Sequence, residues 1–397
     1  MRILVLENEP SSLRGGQELS LFDVCRGLAA RAHEIDLLYT TDGNLLPEYR
    51  AFCRRVDRVS AYSVDRARAL SSAARLVADV IQAGRHAPDV VYANQYLDSF
   101  FARLLAWRFH RPLVCHLRLP PPDIFCAQYR WGMGGPVRLI AISNQTREDY
   151  VARGFRPDRI DVVHNGIAVG EWQTPLTRAD ARSRLGLDAA AFLVLCAGRL
   201  HPGKGIDVVI DALALLPPDA QLLIAGREFD DGRTVPYEPR LKEQAAARGV
   251  DARCHFLGHV PGLAELYHAA DVTVLASVIS EAFGRTVIES MACGTPVVAS
   301  NAGGIPEILT GEFEQYLVPV GDHRALAARL QSLRGWRDRD PGLADRCRAH
   351  VERQFDLAAT VSGVEASLRR TVDEWCAGAP TPAAADIVRS GKPCASA

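Results

Sequence analysis

Short apolar runs rich in β-branched residues alternate with helix-period segments along the whole chain. In the first half the runs are Ile3–Leu6, Ile35–Tyr39, Val90–Ala93, Leu113–Leu117, Leu139–Ile142 and Ile160–Val163. In the second half they are Phe192–Ala197, Leu222–Ala225, Cys254–Leu257, Val272–Ala276, Val297–Ala299 and Tyr316–Val318. Several are apolar at consecutive positions, which suits strands covered on both faces. Between them, Leu21, Val24, Cys25, Leu28 and Ala32 recur at helical spacing and predict one stripe facing a sheet. The alternation predicts an α/β fold with parallel sheets built from right-handed βαβ units. Two such sets predict two doubly wound Rossmann-like domains facing each other across a cleft.

The turn dipeptide Asn165-Gly166 and the polar stretch to Thr177 mark the expected boundary. The domains are then 1–170 and 171–355, followed by a helix over 356–376 packing back on the first domain. A short helix is expected over Ala179–Leu187. The segment 377–397 is rich in Ala, Pro and Ser and reads as a flexible tail.

Composition narrows the function classes. A chain of 397 residues suits two domains. Lys+Arg 46 against Asp+Glu 47 gives a net charge of −1, so no global field holds nucleic acid, and an anion needs a local arrangement. The 10 cysteines are scattered without a C-x-x-C pair, and several sit inside apolar runs. They read as reduced thiols of a cytoplasmic protein, with no disulfide frame and no zinc site. No apolar stretch is long enough to span a membrane.

In open α/β sheets, ligands bind beyond the carboxyl ends of the strands, so the residues that follow strands carry the chemistry. Gly198-Arg199-Leu200-His201-Pro202-Gly203-Lys204-Gly205 follows Phe192–Ala197. Its glycines allow close backbone approach, and Arg199 with Lys204 suits a diphosphate. The stretch from Ser280 to Pro296 follows Val272–Ala276 and predicts a helix from near Gly284 to Gly294. The N–H groups at its start favour an anion. Glu281 and Glu289 flank that start and offer acceptors for sugar hydroxyls. A third loop, Asn301–Glu307, carries the paired glycines Gly303 and Gly304, which let it approach the second motif. Asp338-Arg339-Asp340 is a literal D-x-D, but it lies in the Arg-rich stretch Arg334–Arg348, read as a solvated charged segment.

Taken together, GRLHPGKG at 198–205, EAFGRTVIESMACGTPVVAS at 281–300 and GGIPE at 303–307 resemble the retaining glycosyltransferases of family 4, also called glycosyl transferases group 1. FLGHVPGLAELYHAADVTVLAS at 256–277, GGQE at 15–18 and VVHNGI at 162–167 extend the resemblance to roughly residues 1–375. The resemblance implies the GT-B fold. It also implies a metal-independent retaining transfer of a hexose from a UDP-, GDP- or ADP-linked sugar, with no cofactor. Arg199 and Lys204 are then expected to neutralise the leaving diphosphate, and Glu281 to bind the transferred sugar beside the Phe283 and Gly284 amides. Glu289 is expected on the ribose, Val260 near the base, and Gly16 on the diphosphate.

One position departs from the family. The family histidine falls on Arg118, while His116 lies two residues earlier on the same strand face. Either is a candidate for contact with the donor sugar. The expected acceptor is a saccharide or a lipid-linked sugar of envelope polysaccharide or glycolipid synthesis, bound by the first domain. Arg54, Arg55, Arg58, Arg66, Arg68 and Arg75 among Val56, Val59, Leu70 and Leu76 make peripheral contact with the inner membrane face an expectation. Ser143 reads as a substrate contact or a helix N-cap. The rival readings are a sucrose- or glycogen-type synthase of the same fold and an inactive sugar-nucleotide-binding partner subunit.

Overall fold

Thirteen strands form two parallel sheets in the computed structural model, which describes residues 1–228 and 236–378. Most of the expected tail, with Cys394, lies outside the described residues. The chain divides into two compact units: Met1–Asn165 with the chain from Leu357 on, and Gly166–Asp356.

The first unit holds β1 (Arg2–Glu7), β2 (Glu34–Tyr39), β3 (Arg55–Arg58), β4 (Val90–Ala93), β5 (Leu113–Leu117), β6 (Arg138–Ala141) and β7 (Ile160–Val162), ordered β3-β2-β1-β4-β5-β6-β7. Strand alternation sends consecutive side chains to opposite faces. Ile3 and Val5 pack with Leu21, Val24, Cys25 and Leu28 of the Gly16–Ala30 helix, and with Val361, Val364 and Leu368 of the Leu357–Cys376 helix. Leu4 and Leu6 pack on the other face with Phe101, Ala102 and Leu105. Both faces are therefore dry, which is why these strands read as continuous apolar runs. The predicted stripe ends one residue early: the helix stops at Ala30, and Ala32 is exposed at φ 62°. Arg138 and Arg159 anchor the Leu357–Cys376 helix through Glu374 (2.7 and 2.9 Å).

Strand β3 escaped the apolar pattern. It is an edge strand of sequence RVDR, and an edge tolerates charge on its open side. The arginine-rich stretch is therefore not one continuous surface. Val56 packs inward and Val59 is buried, Arg54 pairs with buried Asp36, and Arg58 reaches Asp42 (3.3 Å).

The second unit holds β8 (Phe192–Ala197), β9 (Ala220–Ala225), β10 (Cys254–Gly258), β11 (Val272–Leu275), β12 (Val297–Ser300) and β13 (Leu317–Val318), ordered β10-β9-β8-β11-β12-β13. The expected short helix runs from Arg178 to Arg184. Its Arg182 is fully buried, donating to the carbonyls of Ala269 and Ala191 (both 2.9 Å) and to Asp271 (2.8 Å). Asp271 also accepts from the Leu193 amide (2.8 Å), so one carboxylate ties this helix to the sheet.

The stretch Arg334–Arg348 is solvated only in part: Asp338, Arg339 and Asp345 are exposed, but much of the rest packs on the unit. Trp336 is buried with its indole N–H on the Asp271 carbonyl (2.9 Å), and Arg334 lies over the Phe192 ring. Asp340 of the D-x-D is held by Arg346 (2.6 Å). Burial of aliphatic stems and an indole under charged heads explains why composition alone misread it. The described cysteines are all free thiols, and no described helix is long and apolar enough to cross a membrane.

Candidate functional site

Each sheet reverses its strand order at one seam, between β1 and β4 in the first unit and between β8 and β11 in the second. Polar groups that follow these strands collect at the seam, where such sheets bind ligands.

In the second unit, β8 runs into Gly198–Gly205. Pro202–Lys204 forms a single tight turn capped by the His201 ring, which accepts from the Gly203 amide (3.0 Å). Gly205 sits at φ 64°, and a Cβ there would meet the Ala276 carbonyl oxygen at 1.9 Å. Only glycine lets the first loop press so closely on the end of β11. That contact brings Lys204 Nζ to Glu281 Oε1 at 2.5 Å, and Ser277 donates to the same oxygen (2.5 Å). Arg199 stands exposed on the same loop.

The third loop fixes Glu281 from the other side. The Gly304 amide donates to the Glu281 carbonyl (2.7 Å). Gly303, at φ 59°, lies so close that a Cβ would stand 2.1 Å from that oxygen. The helix Arg285–Ala292 then starts at Gly284, with buried Phe283 packed edge-on against Phe355 (5.7 Å). Glu289 is buried on this helix. Its Oε1 accepts from Arg285 (2.7 Å) and its Oε2 from the Tyr267 hydroxyl (3.1 Å). Val260 is half-buried beside the core that contains Tyr267. Thus Lys204 and Glu281 are in direct contact, and Glu289 is already braced by protein.

In the first unit, the seam gathers Glu7 at the end of β1, Asn94 after β4 and Arg118 after β5, all buried. Arg118 Nε donates to Asn94 (2.6 Å) and one Nη to Asn165 (2.9 Å), while Nη2 has no protein partner. Asn94 donates to Glu7 (2.8 Å). Burial pushes the Glu7 carboxyl well above the usual range, and nearby Glu18 and Asp98 add to it. His116 is fully buried, with Nδ1 on the Tyr92 hydroxyl (2.5 Å) and Nε2 without a protein partner. Burial and the Arg118 charge hold its pKa well below the ordinary histidine value, so it stays neutral. Gly16 opens the Gly16–Ala30 helix in this unit. Ser143 caps the Asn144–Ala152 helix, accepting from the Thr146 amide (3.0 Å). Among the described residues, no group of three or more His, Cys, Asp or Glu side chains gathers as a metal site.

Sequence reasoning missed Ser277, Tyr267, Glu7, Asn94 and the carboxamide of Asn165. Three of these carry a signal that was available: Glu7, Asn94 and Ser277 are polar residues directly after apolar runs. Tyr267 and Asn165 lay inside the segments 256–277 and 162–167, but their contacts with Glu289 and Arg118 depend on how the chain folds.

The family profile described as Glycosyl transferases group 1 matches residues 177–339, and Glycosyltransferase Family 4 matches residues 14–171. A D-inositol 3-phosphate glycosyltransferase of Mycolicibacterium vanbaalenii is 36% identical over 308 residues, 72% of this chain and 67% of that protein. The chain belongs to glycosyltransferase family 4. A lipopolysaccharide core biosynthesis mannosyltransferase of Rhizobium meliloti is another relative, 33% identical over 217 residues, 53% of this chain and 61% of that one. The match spans about half of some family 4 relatives, 48% of the Mycolicibacterium gilvum protein for example. Among solved structures, Anabaena HepE in complex with UDP and glucose superposes with a TM-score of 0.81 at 26% identity, covering 93% of this chain and 99% of that one. The lipopolysaccharide glycosyltransferase WaaG, at 18% identity and a TM-score of 0.67, shares the GT-B fold.

Proposed function

We propose that this family 4 chain is a retaining glycosyltransferase that moves a hexose from a nucleoside-diphosphate sugar to a saccharide or lipid-linked acceptor. The setting we infer is envelope polysaccharide or glycolipid synthesis. The observation that carries the reading is the contact of Lys204 with Glu281 at the seam of the second sheet, on a loop that also carries Arg199. A cation and a hydroxyl-binding carboxylate side by side match the two halves of a sugar nucleotide: a diphosphate and a sugar. HepE, bound to UDP and glucose, supports the donor class.

The roles follow from charge flow. As the bond from the anomeric carbon to the diphosphate breaks, its electrons pass to the leaving oxygen. Lys204, Arg199 and the amides at the start of the Arg285–Ala292 helix stabilise that charge without reorganising. This charge handling needs no divalent ion. The acceptor oxygen attacks from the same face, and its proton passes to the departing phosphate. Glu281 binds a hydroxyl of the transferred sugar, and its present grip on Lys204 and Ser277 pre-orients it. Glu289 receives the ribose through its remaining lone pairs, braced by Arg285 and Tyr267. Val260 borders the base. In the first unit, where we place the acceptor, His116, buried and neutral, and buried Arg118 remain our candidates for contact with the transferred sugar; neither is assigned as a base. Gly16 remains our candidate for a backbone contact with the diphosphate.

A melting-temperature panel of UDP-, GDP- and ADP-sugars in EDTA tests the donor class, because a ligand of the folded state raises its melting point. Glu281→Ala is expected to reduce transfer roughly 10²-fold or more while weakening the free nucleotide only a few-fold. Equal losses in both would mean that Glu281 does not hold the sugar.

A further inference from the structure

The helix Ala69–Gln82 of the first unit is apolar on the side that faces water. Its inward face is thin: Ser72 and Leu76 are buried, and Val80 packs on the core. On the other side Leu70, Val77 and Ile81 are 90%, 59% and 66% exposed. With exposed Ala74 and Ala78 they follow i, i+4, i+7, i+8, i+11, which is one continuous strip along a helix. A strip of aliphatic side chains is unfavourable in water unless something covers it.

The charges beside it say what does. Residues 69–78 contain no acid. The helix's one acid, Asp79, is turned to the Ser60 amide (2.9 Å). Arg68 and Arg75 are exposed at the start and on the flank, whereas Arg85, which follows the helix, is paired with Asp57 (2.5 Å) and so does not contribute. The Ser99–Phe109 helix packs on the same core. It exposes 74% of Trp107, and its Arg108 guanidinium lies beside Gly84 at the end of the first helix. Aliphatic residues flanked by arginines, with an exposed indole nearby, complement an anionic lipid surface. The strip enters the acyl boundary, the arginines meet headgroup phosphates, and the indole sits at the interface.

We infer that the face formed by Leu70, Ala74, Val77 and Ile81 docks this protein on an anionic membrane. The inference does not rest on the transferase reading, and its test needs no turnover. The full chain is floated with vesicles of phosphatidylcholine, with and without about 30% phosphatidylglycerol. Expected is recovery with the anionic vesicles only, falling as salt rises. Leu70→Ser/Val77→Ser/Ile81→Ser is expected to lower that recovery at least about tenfold without changing nucleotide-induced stabilisation. Arg68→Gln/Arg75→Gln, which leaves all packing intact, is expected to lower both recovery and its salt dependence. Three results would each overturn the proposal. The first is no anionic binding, and the second is binding that neither variant reduces. The third is a dimer in sedimentation that the serine variant dissolves, which would assign the strip to a second copy.

Discussion

Lys204 and Glu281 are 77 residues apart in sequence yet share a proton-bearing contact of 2.5 Å. Each was legible singly as a polar residue after an apolar run; their contact was not, because it depends on which strands are neighbours. The same holds for Glu7. It ends β1 as an unremarked acid, and only the folded sheet shows it buried against Asn94 with Glu18 and Asp98 near enough to disfavour its charge. Its sign is informative. An acid that holds its proton more tightly when folded than when unfolded costs stability as pH rises beyond the unfolded value of about 4.3. Glu7→Gln keeps the shape and removes the titration. The variant is therefore expected to gain melting temperature relative to the parent as pH is raised from 5 to 8, by a few degrees for a change of about 1 kcal/mol. A difference that stays flat with pH would show that Glu7 is ionised in the folded chain.

At the scale of elements, twelve strands announced themselves as short runs rich in apolar residues, several of them apolar at consecutive positions because both sheet faces are covered. Strand β3 did not, since an edge strand of alternating charge looks like loop. The buried arginine of the Arg178–Arg184 helix and the packed Trp336 segment were hidden for a related reason: charge reads as surface unless the partner, Asp271, is known. The loops that carry the candidate chemistry were legible through glycine, and the structure says why glycine is needed. Gly303→Ala places a methyl group 2.1 Å from the Glu281 carbonyl in a backbone conformation that alanine disfavours. It is expected to cost about 2–3 kcal/mol of stability, read as a lowered melting temperature, and to reduce transfer because Glu281 is displaced. Gly186→Ala, with a similar φ of 66° and nothing near the new methyl, serves as the control and is expected to cost about 1 kcal/mol and leave transfer unchanged. If both variants behaved alike, the close approach of the third loop would not be what holds Glu281.

At the scale of the whole molecule, two sheets with the same reversed strand order explain why the chain reads as two halves of one architecture without a sequence repeat. They also place the proposed site where such sheets bind ligands, at the seam. The central claim is that the loops after β8 and β11 grip a diphosphate with Arg199, Lys204 and main-chain amides. It is tested most directly by calorimetry in EDTA, comparing the nucleoside diphosphate selected by the melting panel with its monophosphate. Expected is tighter binding of the diphosphate by at least about tenfold in the parent chain, and collapse of that preference in Arg199→Ala/Lys204→Ala. An undiminished preference in the folded double variant would contradict the claim, as would binding that vanishes whenever divalent metal is withheld.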